Sequence, residues 1–126
     1  MAIITIAGSS ISIAGSSISI NDNRTIAPSL STLLCQTNGT DYFVRTTATN
    51  NDGSSVLLEV SQLSNFPANS STQSATVAAG ATASFSFPGY SNPPGTQTLY
   101  ARATATGRPT SDAISRTDNM VLCQAI

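Results

Sequence analysis

The sequence predicts an all-β protein, a two-sheet antiparallel sandwich of about seven short strands with a strand-and-turn repeat ahead of it. Three observations lead there. Ser, Thr, Ala, Val and Ile recur throughout while charged residues make up only 9% of the 126, and such side chains suit a pleated, half-buried surface better than a helix. Apolar and polar residues alternate with period two in several short runs, separated by turn signals at intervals of about ten residues. No stretch between those runs has helical spacing, so a parallel sheet would lack its crossover helices. A barrel is the alternative way to close such strands.

The first element is the repeat. Residues 4–10 read ITIAGSS, residues 11–17 read ISIAGSS, and a third ISI starts at Ile18. Each Ile-x-Ile triplet is expected as three residues of strand and each Ala-Gly-Ser-Ser as a turn. Both Ile of a triplet point the same way, so Ile4, Ile6, Ile11, Ile13, Ile18 and Ile20 can form one apolar face. Strands this short do not hold together alone in water. Their partner is either the same chain's sandwich, which they would cap as a small meander, or identical repeats on neighbouring chains. The second is taken forward, since six Ile on a lone monomer would leave a large exposed patch and a three-chain bundle would enclose them. Residues 1–23 are thus an oligomerisation or anchoring arm and 24–126 the sandwich, with Asn21-Asp22-Asn23 as the polar break.

The strands of the sandwich follow in order. Ser29 to Thr37 is bounded by Pro28 and by Asn38-Gly39. Asp41 to Asn50 alternates bulky and polar residues and ends in the turn signal around Asp52-Gly53. Val56 to Ser61 sets Val56, Leu58 and Val60 on one face against Leu57 and Glu59 on the other. A polar loop, Asn65 to Ser74 with Pro67 inside it, leads to a short strand at Thr76 to Ala78. Gly80 turns the chain into Ala83 to Phe87, where Phe85 and Phe87 share the inward face. After a loop stiffened by Pro93-Pro94, Gln97 to Ala105 places Leu99, Ala101, Ala103 and Ala105 opposite Tyr100, Arg102 and Thr104. The last strand is expected around Asn119 to Gln124.

Three segments, FVRTTATNNDGSSVLLEV, VAAGATASFSFPG and PGTQTLYARATA, resemble in order the bacterial and phage immunoglobulin-like, fibronectin-like modules of adhesins and virion surfaces. The resemblance spans residues 29 to 126 and implies an Ig-like sandwich. It implies little about function, because such modules serve many roles. The Trp that often fills their core is missing, and Phe85, Phe87, Leu99 and Leu122 are expected to supply its bulk.

Chemistry finds few footholds. With neither His nor Lys, the chain cannot build a Ser-His-Asp, Cys-His or Lys-assisted nucleophile. Its acidic residues are Asp22, Asp41, Asp52, Glu59, Asp112 and Asp118, and all but Glu59 are expected in turns or at strand ends, where Asp forms turns. Asn21-Asp22-Asn23 and Asn50 to Gly53 offer oxygen ligands, but neither continues into the acidic pattern of a calcium loop. Tyr42, Tyr90 and Tyr100 could line a glycan-binding face, although Tyr at the edge of a sandwich core explains them as well. No enzyme activity, metal or cofactor is expected. Five Arg scattered through the chain, with a net charge of −1, give neither nucleic acid nor an anionic membrane a basic patch.

Cys35 and Cys123 occupy look-alike contexts, LLCQ and VLCQ. They are either a disulfide closing nearly the whole domain or two buried thiols. The opening residues lack the basic segment and continuous apolar run of a signal peptide, and no run approaches the length of a membrane-spanning helix. Cytosolic synthesis with a surface of hydroxyls and amides points to a virion protein. The expected function is a structural protein of a bacteriophage virion, a capsid decoration or cement protein. Its partners would be further copies of itself and the major capsid protein or another virion protein. The alternative is an extracellular filament or adhesin subunit of a bacterium or archaeon that assembles by strand donation.

Overall fold

Alternation of small apolar and polar side chains is what the chain folds on, and it yields strands throughout. The computed structural model describes residues 25–126 and, within the repeat, the backbone of strands β1 (Ser10–Ile13) and β2 (Ser16–Ser19). No helix occurs among the described residues. β1 and β2 pair antiparallel as a sheet of their own, with Ile11 opposite Ile18 and Ile13 opposite Ser16. The second strand takes in Ser16 and Ser17, expected in a turn, because the ladder needs them opposite Ile13 and Ser12. Ile4, Ile6 and Ile20 lie outside the described residues, as does Asn21-Asp22-Asn23.

Nine further strands make two sheets, both rich in antiparallel pairs. The first contains β3 (Pro28–Leu30), β4 (Leu34–Thr37), β5 (Tyr42–Asn50), β8 (Thr82–Phe87) and β11 (Cys123–Ala125). β5 pairs with β3, β4 and β8, and β11 lies parallel to β4. The second sheet runs β10 (Ile114–Met120), β9 (Gly95–Thr104), β6 (Val56–Ser61), β7 (Thr72–Val77). Their inward rows share one core: Val44, Ala48, Phe85 and Phe87 from the first sheet, and Val56, Leu58, Val60, Leu99, Ala101 and Ala103 from the second. That is the arrangement expected of a β-sandwich.

The single strand expected over Ser29 to Thr37 is broken by a bulge. Leu30 pairs with Ala48 and Leu34 with Arg45, so three residues on one strand face two on the other. The hydroxyl of Ser31 accepts the Thr47 N–H at 2.9 Å, and the Leu33 N–H turns away to Asp118 Oδ2 at 3.0 Å. The extra residue reverses which side chains point inward, so Leu33 and Cys35 are buried while Leu34 is exposed.

Three other expectations need correction. The polar stretch expected as loop up to Ser74 is strand from Thr72, because the β6 ladder recruits it from Leu57–Thr76 through Ser61–Thr72. Hydrogen bonding to a neighbour outweighs its low strand propensity. The strand expected over Asn119 to Gln124 is divided between the sheets: β10 ends at Met120, and Val121-Leu122 carries the chain across to β11. Leu122 therefore fills no core and is 81% exposed. Asp118, expected at a strand end, sits within β10.

Phe87 is fully buried whereas Leu57, on the outer face of β6, is 39% exposed. Phe87→Ala should cost about 3–5 kcal/mol of unfolding free energy, and Leu57→Ala about 0.5 kcal/mol or less. Denaturant titration of both variants checks the inward and outward rows; equal costs would contradict them.

Candidate functional site

Two ion pairs among the described residues join separate segments of backbone, Arg108 with Asp52 and Arg102 with Glu59, and a third, Arg116 with Asp118, lies within one strand. Arg108 Nη1 donates to Asp52 Oδ2 at 2.6 Å, and Asp52 also accepts from the Ser54 hydroxyl and N–H. Asn50, wholly buried, holds the same turn: its Oδ1 accepts the Asp52 N–H, while Nδ2 lies within 3.1 Å of the carbonyls of Ser54, Val77 and Ala78. Arg116 Nε donates to Asp118 Oδ2, the oxygen that accepts the Leu33 N–H. Arg102 pairs with Glu59 at 3.0 Å on the outer face of the second sheet, and its guanidinium stands 4.4 Å from the centroid of the Phe66 ring. Phe66, in the stretch expected to be a polar loop, is thereby buried.

These carboxylates are poised for structure. Hydrogen bonds from Arg108 and then Ser54 hold the Asp52 carboxyl well below the usual carboxylate range, against the opposing effect of burial. Asp118 is lowered in the same way, by Arg116 first and by the Leu33 N–H second. A general acid needs the opposite shift. In the Asn50 to Gly53 turn, Asn50 Oδ1 and Asp52 Oδ2 are engaged by the protein's own donors. Among the described residues, no group of three or more His, Cys, Asp or Glu is placed to hold a metal ion.

The three Tyr do not share a face. Tyr90 packs against the core and its hydroxyl accepts from Gln62 Nε2 at 2.6 Å, whereas Tyr100 alternates outward between the buried Leu99 and Ala101. An open cleft of about 440 Å³ lies among β6, β7 and β9, with Ser55, Leu57, Thr76, Thr104 and Thr106 in a lining that carries no charged side chain.

The cysteines are brought together. Cys35 and Cys123 are joined by a disulfide that spans 88 positions of sequence. They are register partners, as are Gln36 and Gln124, so the look-alike LLCQ and VLCQ stretches run side by side in parallel. By chain entropy alone a bridge of that span would be worth about 4–5 kcal/mol. Beside it lies a surface that alternation did not reveal, where Leu34, Val121, Leu122 and Ile126 are exposed on or next to β4 and β11. Ile11, Ile13 and Ile18 stand in the separate sheet of β1 and β2.

Comparison with known proteins finds no matching family model, curated protein or solved structure.

A carboxyl whose folded pKa lies below its unfolded value adds stability above that unfolded value, about 3.9, and loses it as the pH falls through the folded one. The chain should therefore lose stability as the pH drops below about 4. Asp52→Asn and Asp118→Asn should each flatten this acid limb and lower stability at neutral pH. Denaturant midpoints across the acid range check it; an unchanged slope in the double variant would contradict the assigned ion pairs.

Proposed function

We propose that this chain is a non-enzymatic structural protein of a bacteriophage virion, a capsid decoration or cement protein that stabilises the shell by β contacts between subunits. The observation that carries the reading is the separate sheet of β1 and β2. Among the described residues it belongs to neither sheet of the sandwich, and two four-residue strands are too little to persist alone in water. The repeat therefore requires a partner, and copies of itself or of a shell protein provide one. Burying Ile4, Ile6, Ile11, Ile13, Ile18 and Ile20 across a subunit boundary would stiffen a shell against internal pressure.

Two further features support work outside a reducing cytoplasm: the Cys35–Cys123 disulfide and a surface in which hydroxyls and amides replace charge. The strand order supports an Ig-like, fibronectin-like sandwich. β3 and β4 with β5 and β8 would form one sheet of that type, β10-β9-β6-β7 the other, and β11 an addition parallel to β4. The extracellular filament or adhesin reading gains support from one observation, the uncharged edge strand β11, which suits strand donation.

Sedimentation of the full chain, and of the chain lacking residues 1–20, tests this. The decoration reading expects a closed oligomer of fixed mass, a trimer in the bundle form, that becomes monomeric on truncation. A filament subunit would instead grow in mass with concentration. If both forms are monomers at every concentration, the assembly role is wrong.

A further inference from the structure

Six large apolar side chains are exposed among the described residues, and four of them, Leu34, Val121, Leu122 and Ile126, gather on or beside β4 and β11. The register that sets Cys123 against Cys35 brings the preceding Leu122 and Leu34 to the same level of the sheet. β11 ends the hydrogen-bonded path of its sheet. The Ile126 N–H donates to Thr37 O at 2.9 Å, so by alternation the N–H and C=O of Ala125 face the open side. Soluble proteins blunt such edges with charge, Pro or a twist. β10, at an edge of the other sheet, carries the Arg116–Asp118 pair. From Asn119 to Ile126, and from Leu33 to Thr40, no charged residue occurs.

We infer that the β4–β11 edge is the acceptor for the Ile repeat of a second copy, which adds a strand to β11 and lays Ile against Leu34, Leu122 and Ile126. The inference rests on the assembly reading above. An occupant of this edge must be extended and apolar along one face to cover Leu34, Leu122 and Ile126; the charge nearest Leu34 is its register partner Arg45, whose Nη1 donates to Gln36 Oε1. Residues 1–20 contain no charged side chain and repeat Ile-x-Ile three times. Parts of that repeat are already strands, Ser10–Ile13 and Ser16–Ser19. β-Addition joins the two: main-chain hydrogen bonds supply affinity, and alternate side chains supply the match.

The test places a benzophenone photo-crosslinking residue at position 122 of the full chain, mixes unlabelled with ¹⁵N-labelled copies, and maps the products by mass spectrometry. Expected are links from position 122 to residues 3–20 in mixed-isotope pairs. Links only within one copy would make the acceptor intramolecular, and links to residues 119–126 of another copy would make the contact edge to edge; either overturns the inference. In parallel, Leu122→Glu should weaken self-association at least about tenfold while its unfolding midpoint, read at concentrations where both chains are monomeric, stays unchanged; Thr76→Glu on β7 should leave self-association as it is. If an oligomer forms and Leu122→Glu leaves it unmoved, the edge assignment falls and the assembly reading survives. If the chain is monomeric at every concentration, both fall.

Discussion

Strand β5 is the constraint on which the rest of the domain hangs. One of its edges is shared end to end by β3 and β4, the other is held by β8, and its even-numbered side chains from Val44 to Asn50 are all buried. A row of Val, Thr, Ala and Asn is thin material for a core. It works because bulky side chains surround it where β5 is small, Leu58 and Leu99 from the facing sheet and the two Phe of β8 alongside in its own. The polar members are satisfied within the domain: Thr46 donates its hydroxyl to Ser31 O at 3.0 Å, and Asn50 knits the crossover after β5 to the one after β7.

Sparse charge follows from the same economy of side chains. With so few ionisable groups, each Arg–carboxylate pair sits where a backbone segment has to be pinned. Asp118 is the clearest case, since it catches the N–H that the bulge at Leu33 takes out of the β5 ladder. That bulge also determines the edge beyond it. By reversing the alternation it turns Cys35 inward, where the bond to Cys123 fixes β11 in parallel register, and it leaves Leu34 facing outward. The apolar edge and the covalent clip are two consequences of one inserted residue.

Much of this was legible from period-two alternation. Val56, Leu58 and Val60, the Phe pair of β8 and the Leu-Ala-Ala row of β9 all point inward as their spacing required. What stayed hidden depended on neighbours. β7 is polar and becomes a strand through the β6 ladder, and β10 before the buried Met120 alternates exposed polar residues with partly buried ones that include Arg116 and Asp118, so neither announces itself by hydropathy. The bulge was hidden because nothing local distinguishes SLSTLLCQT from a continuous strand. Hydrophobicity alone places Leu122 in the core, whereas its position on the link between two sheets leaves it outside. One signal for the edge was present: LLCQ and VLCQ resemble each other and lie side by side.

The separate pairing of β1 with β2 and the uncharged edge at β11 together raise the question of what completes the repeat. On the assembly proposed above, a second molecule does. Hydrogen–deuterium exchange of the amides of residues 10–19, followed across chain concentrations at fixed pH, tests that answer most directly. Protection that rises with concentration and saturates as the oligomer fills is the predicted result. Protection that is the same at every concentration would mean that the repeat is completed within its own chain.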